Sequence, residues 1–203
     1  MRFLRGFLMF MGALASLAII ALIIGYMLAL LTPDIRANMR PVVLSSEAVD
    51  SLNQKISDLK TDAATAINNK SPKDINLVIT EEEVNSKFVM MLAEGDLPAK
   101  EILINFNEGY LLSYTVWSIP GLPLKTGILG QIEISDGKPE FIVRHCYLGK
   151  LPLPGSTDRN IQNLLNIIIK LNVPIEELKL DIKDVTIGEG QIRISAIAGA
   201  INQ

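Results

Sequence analysis

"KEILINFNEGYLLSYTVWSI", residues 100–119, decides what kind of chain this is. On both sides of "NEG" β-favouring residues run with a period of two, and Gly109 offers the positive φ of a tight turn, so the stretch reads as a β-hairpin. "GILGQIEIS" and "EFIVRHCYL" repeat the pattern around "DGKP". The result is four strands in a meander, with Ile102, Ile104, Ile132 and Ile134 on one face and Glu101, Gln131, Glu133 and Arg144 among the outward residues. A third hairpin, "ELKLDIKDVTI" and "QIRISAIA" around "GEG", comes near the C-terminus.

Outward from the hairpins the period becomes helical. In "SSEAVDSLNQKISDLKTDAATAINNK" either Ser45 or Ser46 can cap a helix whose stripe is Val49, Leu52, Ile56, Leu59, Ala63 and Ala66. "SPKD" breaks it and "INLVIT" reads as a strand. Thr80 with Glu83 forms a capping box, opening a helix through Val84, Phe88, Met91 and Leu92. "STDRNIQNLLNIIIKLN" predicts another helix, stopped before Pro174 and apolar over so much of its circumference that it needs cover on more than one side. The expected fold class is α+β: one domain with a curved, mainly antiparallel sheet, whose inner face helices 45–69 and 158–172 cover.

The 49% hydrophobic content is concentrated at the N-terminus, where no residue from Gly6 to Thr32 is charged. Roughly twenty apolar residues cross a bilayer core, so this run spans one with length left for tilt. A cleaved signal peptide has an apolar core about half as long, ending in a small-residue site. None stands after Leu31. Arg2 and Arg5 before the run balance Arg36 and Arg40 after it, and a short stub before a long domain is the pattern of a signal anchor with its C-terminal part outside the cytoplasm. The expected organisation is therefore a stub and transmembrane anchor over 1–32, a juxtamembrane linker over 33–44 and an extracytoplasmic domain over 45–203.

Two of the 19 lysines and arginines lie in the stub, which leaves 17 against 22 acids in the remainder. Such a mildly acidic surface excludes a nucleic-acid stripe as a partner site. Cys146 is the single cysteine and cannot make an internal bridge, so it does not decide the redox compartment. Neighbouring His145 is no base for it, because successive strand residues face opposite ways. Neither a G-x-S-x-G, a P-loop nor a His-Glu metal signature occurs. Asp181, Asp184 and Glu189 match no calcium-loop spacing. The expectation is a non-enzyme with no catalytic residue, no metal and no cofactor.

What stands out is apolar surface in loops. "IPGLPLKTG" and "LGKLPLPGS" each carry Leu-Pro-Leu, and prolines there deny donors to a neighbouring strand. If the strands before them share a polarity, Trp117, Ile119, Leu122, Leu124, Leu151 and Leu153 meet at one end of the sheet. They either plug the end of the core, form the lip of a slot for an acyl chain, or rest on the bilayer. With Phe88 and Met91 of the capped helix they are the candidate lipid-binding residues.

The anchor, "TEEEVNSKF", "PGLPL", "GQIEISDGKPEFIVRHCYLGKLPLP" and "IGEGQIRISA", in this order, resemble the YpmS-like family of single-pass bacterial membrane proteins. More remotely, the order of elements is similar to LmeA-like phospholipid-binding proteins and to tubular lipid-binding domains. The resemblance covers roughly residues 75–198 and implies a bacterial, lipid-contacting domain of the cell envelope. It supplies no catalytic residue, and the shortness of the chain favours an open groove over a closed tunnel. Membrane lipid is the expected partner. The alternative is a structural or assembly subunit docking onto a partner membrane protein through helix 45–69.

Overall fold

The computed structural model describes residues 2–119, 121–135, 138–155, 178 and 180–199; the helix expected over 158–172 lies outside them. The apolar run forms helix α1 (Arg2–Leu30), long and apolar enough to cross a membrane and exposed along most of its length from Met11 onward. The remainder has the α+β class expected from the periodicities. Helices α2 (Ser46–Asn69) and α3 (Glu81–Glu94) flank strand β1 (Lys73–Thr80), and among the described residues seven strands come after: β2 (Ala99–Asn107), β3 (Tyr110–Trp117), β4 (Lys125–Ser135), β5 (Lys138–Leu148), β6 (Leu151–Pro152), β7 (Leu180–Gly188) and β8 (Gln191–Ala198).

Local signals act at the positions the sequence predicts. The Ser45 hydroxyl accepts from the Ala48 amide 3.1 Å away and caps α2. Thr80 and Glu83 make the full capping box of α3, and Gly95 ends that helix in the left-handed region, φ 80°.

Two antiparallel sheets form rather than one. The meander runs β2-β3-β4-β5-β6, whereas the closing hairpin pairs with β1 in the order β1-β8-β7. All eight residues of β1 find partners on β8, from Lys73↔Ala198 to Thr80↔Gln191. Only a chain folded back on itself over more than a hundred residues brings these strands together.

The three-stranded sheet is amphipathic with period two. Ile75 on β1, Ile182 and Ile187 on β7, and Ile192, Ala196 and Ala198 on β8 are buried on one face. Part of that face packs on Ala63 and Ala66 of α2. The other part packs on Phe106 and Ile104 of β2, Leu111 of β3 and Ile132 of β4.

Residues 33–39, within the segment expected as a juxtamembrane linker, lie on the far face of the meander. Ile35 and Met39 are buried against Leu112 and Tyr114 of β3, and the Arg36 guanidinium lies 5.5 Å from the Tyr114 ring centroid. Burial pushes the Tyr114 phenol above its ordinary range and Glu101 adds to it, against Arg36 and Thr32. Gly127 of β4 lets this strap lie close, since a Cβ there would run into Ile35 and Pro33.

The exposed edge of β2 is closed by side chains of α3. Asn85 donates to the Ile104 carbonyl at 2.7 Å and accepts the Ile104 amide at 2.8 Å, as a neighbouring strand would. Glu81 takes the next outward amide, Phe106, at 2.6 Å. An uncovered edge invites pairing with other chains, and these two residues remove the invitation.

Candidate functional site

Two places bear on function. The first is the end of the meander where α1 leaves it. Gly149, φ 58°, sits in the tight turn between β5 and β6 directly on the last turn of α1, where any Cβ would meet the carbonyl oxygens of Leu28 and Ala29. The next amide, Lys150, donates to the Leu28 carbonyl at 2.9 Å, satisfying one of the carbonyls that a helix leaves unpaired at its C-terminus. Lys150 Nζ reaches Asp34 at 2.9 Å, and Lys125 Nζ donates to Thr32 Oγ1 at 3.0 Å.

Both Leu-Pro-Leu segments arrive at this end, as the strand polarity requires. The Trp117 amide donates to the Leu124 carbonyl, the Gly149 amide to the Lys125 carbonyl, and Thr126 pairs with Leu148. Trp117 is 37% exposed, with its indole N–H on Thr126 Oγ1, and Ile119 is 44% exposed. Leu122, Leu124 and Leu151 are half-buried, and Leu153 packs under the sheet against the Phe141, Val143 and Cys146 cluster. Phe88 and Met91 stand apart from the other six on α3, also half-buried.

The second place is a crevice of about 250 Å³ that sequence reasoning did not locate. It lies at the seam where the apolar face of the three-stranded sheet passes from the cover of α2 to that of the meander. Leu59 of α2 stands on one side, Ile132 and Phe141 on the other, and Ile75, Ile182 and Ile194 form its floor. Its described lining is entirely hydrocarbon. A fully apolar cavity of about 150 Å³ stays dry and accepts benzene, so on that scale this crevice holds roughly ten carbon atoms.

Gly130 shapes one wall. A Cβ there would collide with the ring of Phe141, so the glycine lets the ring lie across β4 next to Ile132. None of the eight sequence-predicted residues lines the crevice. About six residues of strand, roughly 20 Å, separate it from the Trp117 end. The missed signal was the count of covers: the helices and sheets are individually amphipathic, but their sequences do not say how completely two of them share a third.

The comparisons with known proteins are few. No family model matches the chain, and no solved structure matches it. It is similar to the human VPS10 domain-containing receptor SorCS3, 23% identical over 164 residues. The match takes in 76% of this chain and 12% of the receptor, so the chain spans about an eighth of that protein's length.

Other candidate chemistry is dispersed. His145 is exposed and Cys146 buried, on opposite faces of β5. Asp184 accepts from the Thr186 hydroxyl, Asp181 pairs with Lys183, and Glu189 with Arg40, so these acids do not converge. Among the described residues no group of three His, Cys, Asp or Glu is placed to hold a metal.

Proposed function

We propose that this chain is a single-pass membrane-anchored domain of the bacterial cell envelope that binds or presents a lipid, without catalysis, by taking hydrocarbon into the crevice between its sheets. The observation that carries the reading is the purely apolar lining at Ile132, Phe141, Ile182 and Ile194 in a domain hydrogen-bonded to the end of a membrane-length helix. At about 0.8 kcal/mol per buried methylene, ten carbons contribute at most about 8 kcal/mol, and association offsets about 4 kcal/mol or more of that. The net affinity is modest. A tether to the bilayer makes such affinity useful by raising the local lipid concentration.

The full chain, purified in mild detergent, is expected to carry lipid detectable by mass spectrometry. Two changes target the crevice without touching the polar framework: Ile194→Trp fills it, and Gly130→Ala drives the Phe141 ring aside. Both are expected to lower bound lipid several-fold while the circular dichroism stays that of the parent. Full-chain protein that carries no lipid, or well-folded crevice variants that carry as much as the parent, would overturn the reading.

The alternative, an assembly subunit, is favoured by one observation. Val49, Val89 and Met90 line a shallow trough between α2 and α3, with exposed Leu44 at its margin. A lipid-free chain that copurifies in fixed ratio with one membrane protein would favour it.

A further inference from the structure

The Trp117 end of the meander is a surface of its own, distant from the crevice, and its geometry points to a partner. We infer that this end lies in the headgroup layer of the same bilayer that α1 spans, with Trp117 and Ile119 immersed in it, so that the domain stands on the membrane at a set angle. The inference rests on the membrane-anchor reading and is independent of what the crevice holds.

Length and position come first. The uncharged stretch of α1 from Gly6 to Leu30 has 25 residues, about 38 Å as a helix, against a hydrocarbon core of about 30 Å. With that excess at its C-terminal end, the last turns stand at headgroup level. Those are the turns that carry the Gly149 contact and the bond from Lys150 to Leu28, so the β5–β6 turn is held at that level too. Trp117 lies two strand spacings away, about 10 Å.

The side chains suit that layer. Tyr26 on α1, 56% exposed, and Trp117 are amphipathic aromatics of the kind that settle at membrane interfaces. Exposed Leu31 and Ile119 add hydrocarbon, and Lys125 and Lys150 place cations beside them. Free rocking of the domain is opposed by the strap: Ile35 and Met39 are buried in it, and Arg40 is bonded to Glu81 and to the Phe106 carbonyl, each at 2.7 Å.

Trp117 is the single tryptophan of the chain, so its fluorescence reports this end alone. The full chain is reconstituted in phosphatidylcholine vesicles, with and without acyl chains brominated near the headgroup or near the chain end. Shallow bromines are expected to quench the emission about twofold, deep ones less, and aqueous iodide little. Ile119→Trp in a Trp117→Phe background should behave alike, and Ile119→Glu should at least halve the bromine quenching of Trp117. Emission from both reporters that iodide quenches and bromolipid does not, in protein that resists alkaline carbonate extraction, overturns this inference and leaves the anchor standing. Protein that carbonate extracts overturns the anchor, and this inference with it.

Discussion

The two sheets meet in two different ways. At the β2–β3 turn the contact is polar: Gly190 donates to the Phe106 carbonyl at 3.0 Å, Gly109 to the Ile187 carbonyl at 2.9 Å, and Arg40, Glu81 and Asn105 close around them. Asn105 is fully buried, its carbonyl oxygen accepting the Arg40 amide at 2.6 Å and its amide group donating to Glu81 at 3.2 Å. Beside Leu59 of α2 the sheets leave a gap whose described lining is hydrocarbon alone. Buried polar groups tolerate few unmade bonds, because each costs about 1–3 kcal/mol, so a polar seam is complete or it fails. An apolar seam loses only dispersion and transfer energy where it is incomplete, and can therefore keep a vacancy open to a guest.

The contrast is tested most severely on its polar side. Glu81→Ala strips partners from Arg40, Asn105 and the Phe106 amide together, and is expected to lower the unfolding free energy of the detergent-solubilised chain by about 3 kcal/mol or more. A loss below about 1 kcal/mol in denaturant titration would mean that the seam does not act as a unit.

Acid tests a second polar contact, the one between α3 and α2, more gently. Burial raises the affinity of Glu83 for a proton, but hydrogen bonds from Lys55, Ser51 and the Thr80 amide outweigh it and hold the carboxyl below its ordinary value of 4.5. The unfolded chain then binds the proton more readily, so this contribution is complete above the ordinary carboxylate range and is lost as pH falls through the lowered folded value. Thermal melts from neutral pH down to about pH 3, below the ordinary carboxylate range, should show the decline, less steeply in Glu83→Gln. Parallel profiles for parent and variant would remove Glu83 from the account.

The smallest effect is expected in the apolar seam and has the opposite sign. Val185→Leu adds a methylene to the crevice and should raise stability by about 0.5–1 kcal/mol, while lowering whatever lipid the proposed function has it carry. Destabilisation by a similar amount would show that the space is already filled.

Much of the architecture is legible locally. Caps at Ser45 and Thr80, turn glycines at Gly109 and Gly190, and strand alternation at Ile192, Ile194 and Ala196 are properties of neighbours in sequence, and the structure has them at those residues. The convergence of the two Leu-Pro-Leu segments is legible too, since strand polarity alone dictates it. The strap is not: Pro33 and Pro41 look like punctuation, yet Pro33, Ile35 and Met39 are buried on a sheet that begins sixty residues later. Nor is the crevice, whose residues read as ordinary core.

By itself, then, the amino-acid order determined the membrane-length helix, helices α2 and α3, the strands other than β6, the meander and which face of each of those strands is apolar. Those come from charge, period and turn chemistry within a few residues. Tertiary structure alone decided that β8 pairs with β1, that residues 33–40 strap the far face of the meander, and that α2 and the meander share one apolar face with a crevice between them. The reason is physical: hydrophobic burial is non-directional, so a sequence states which surfaces leave water but not which surfaces cover them or how completely.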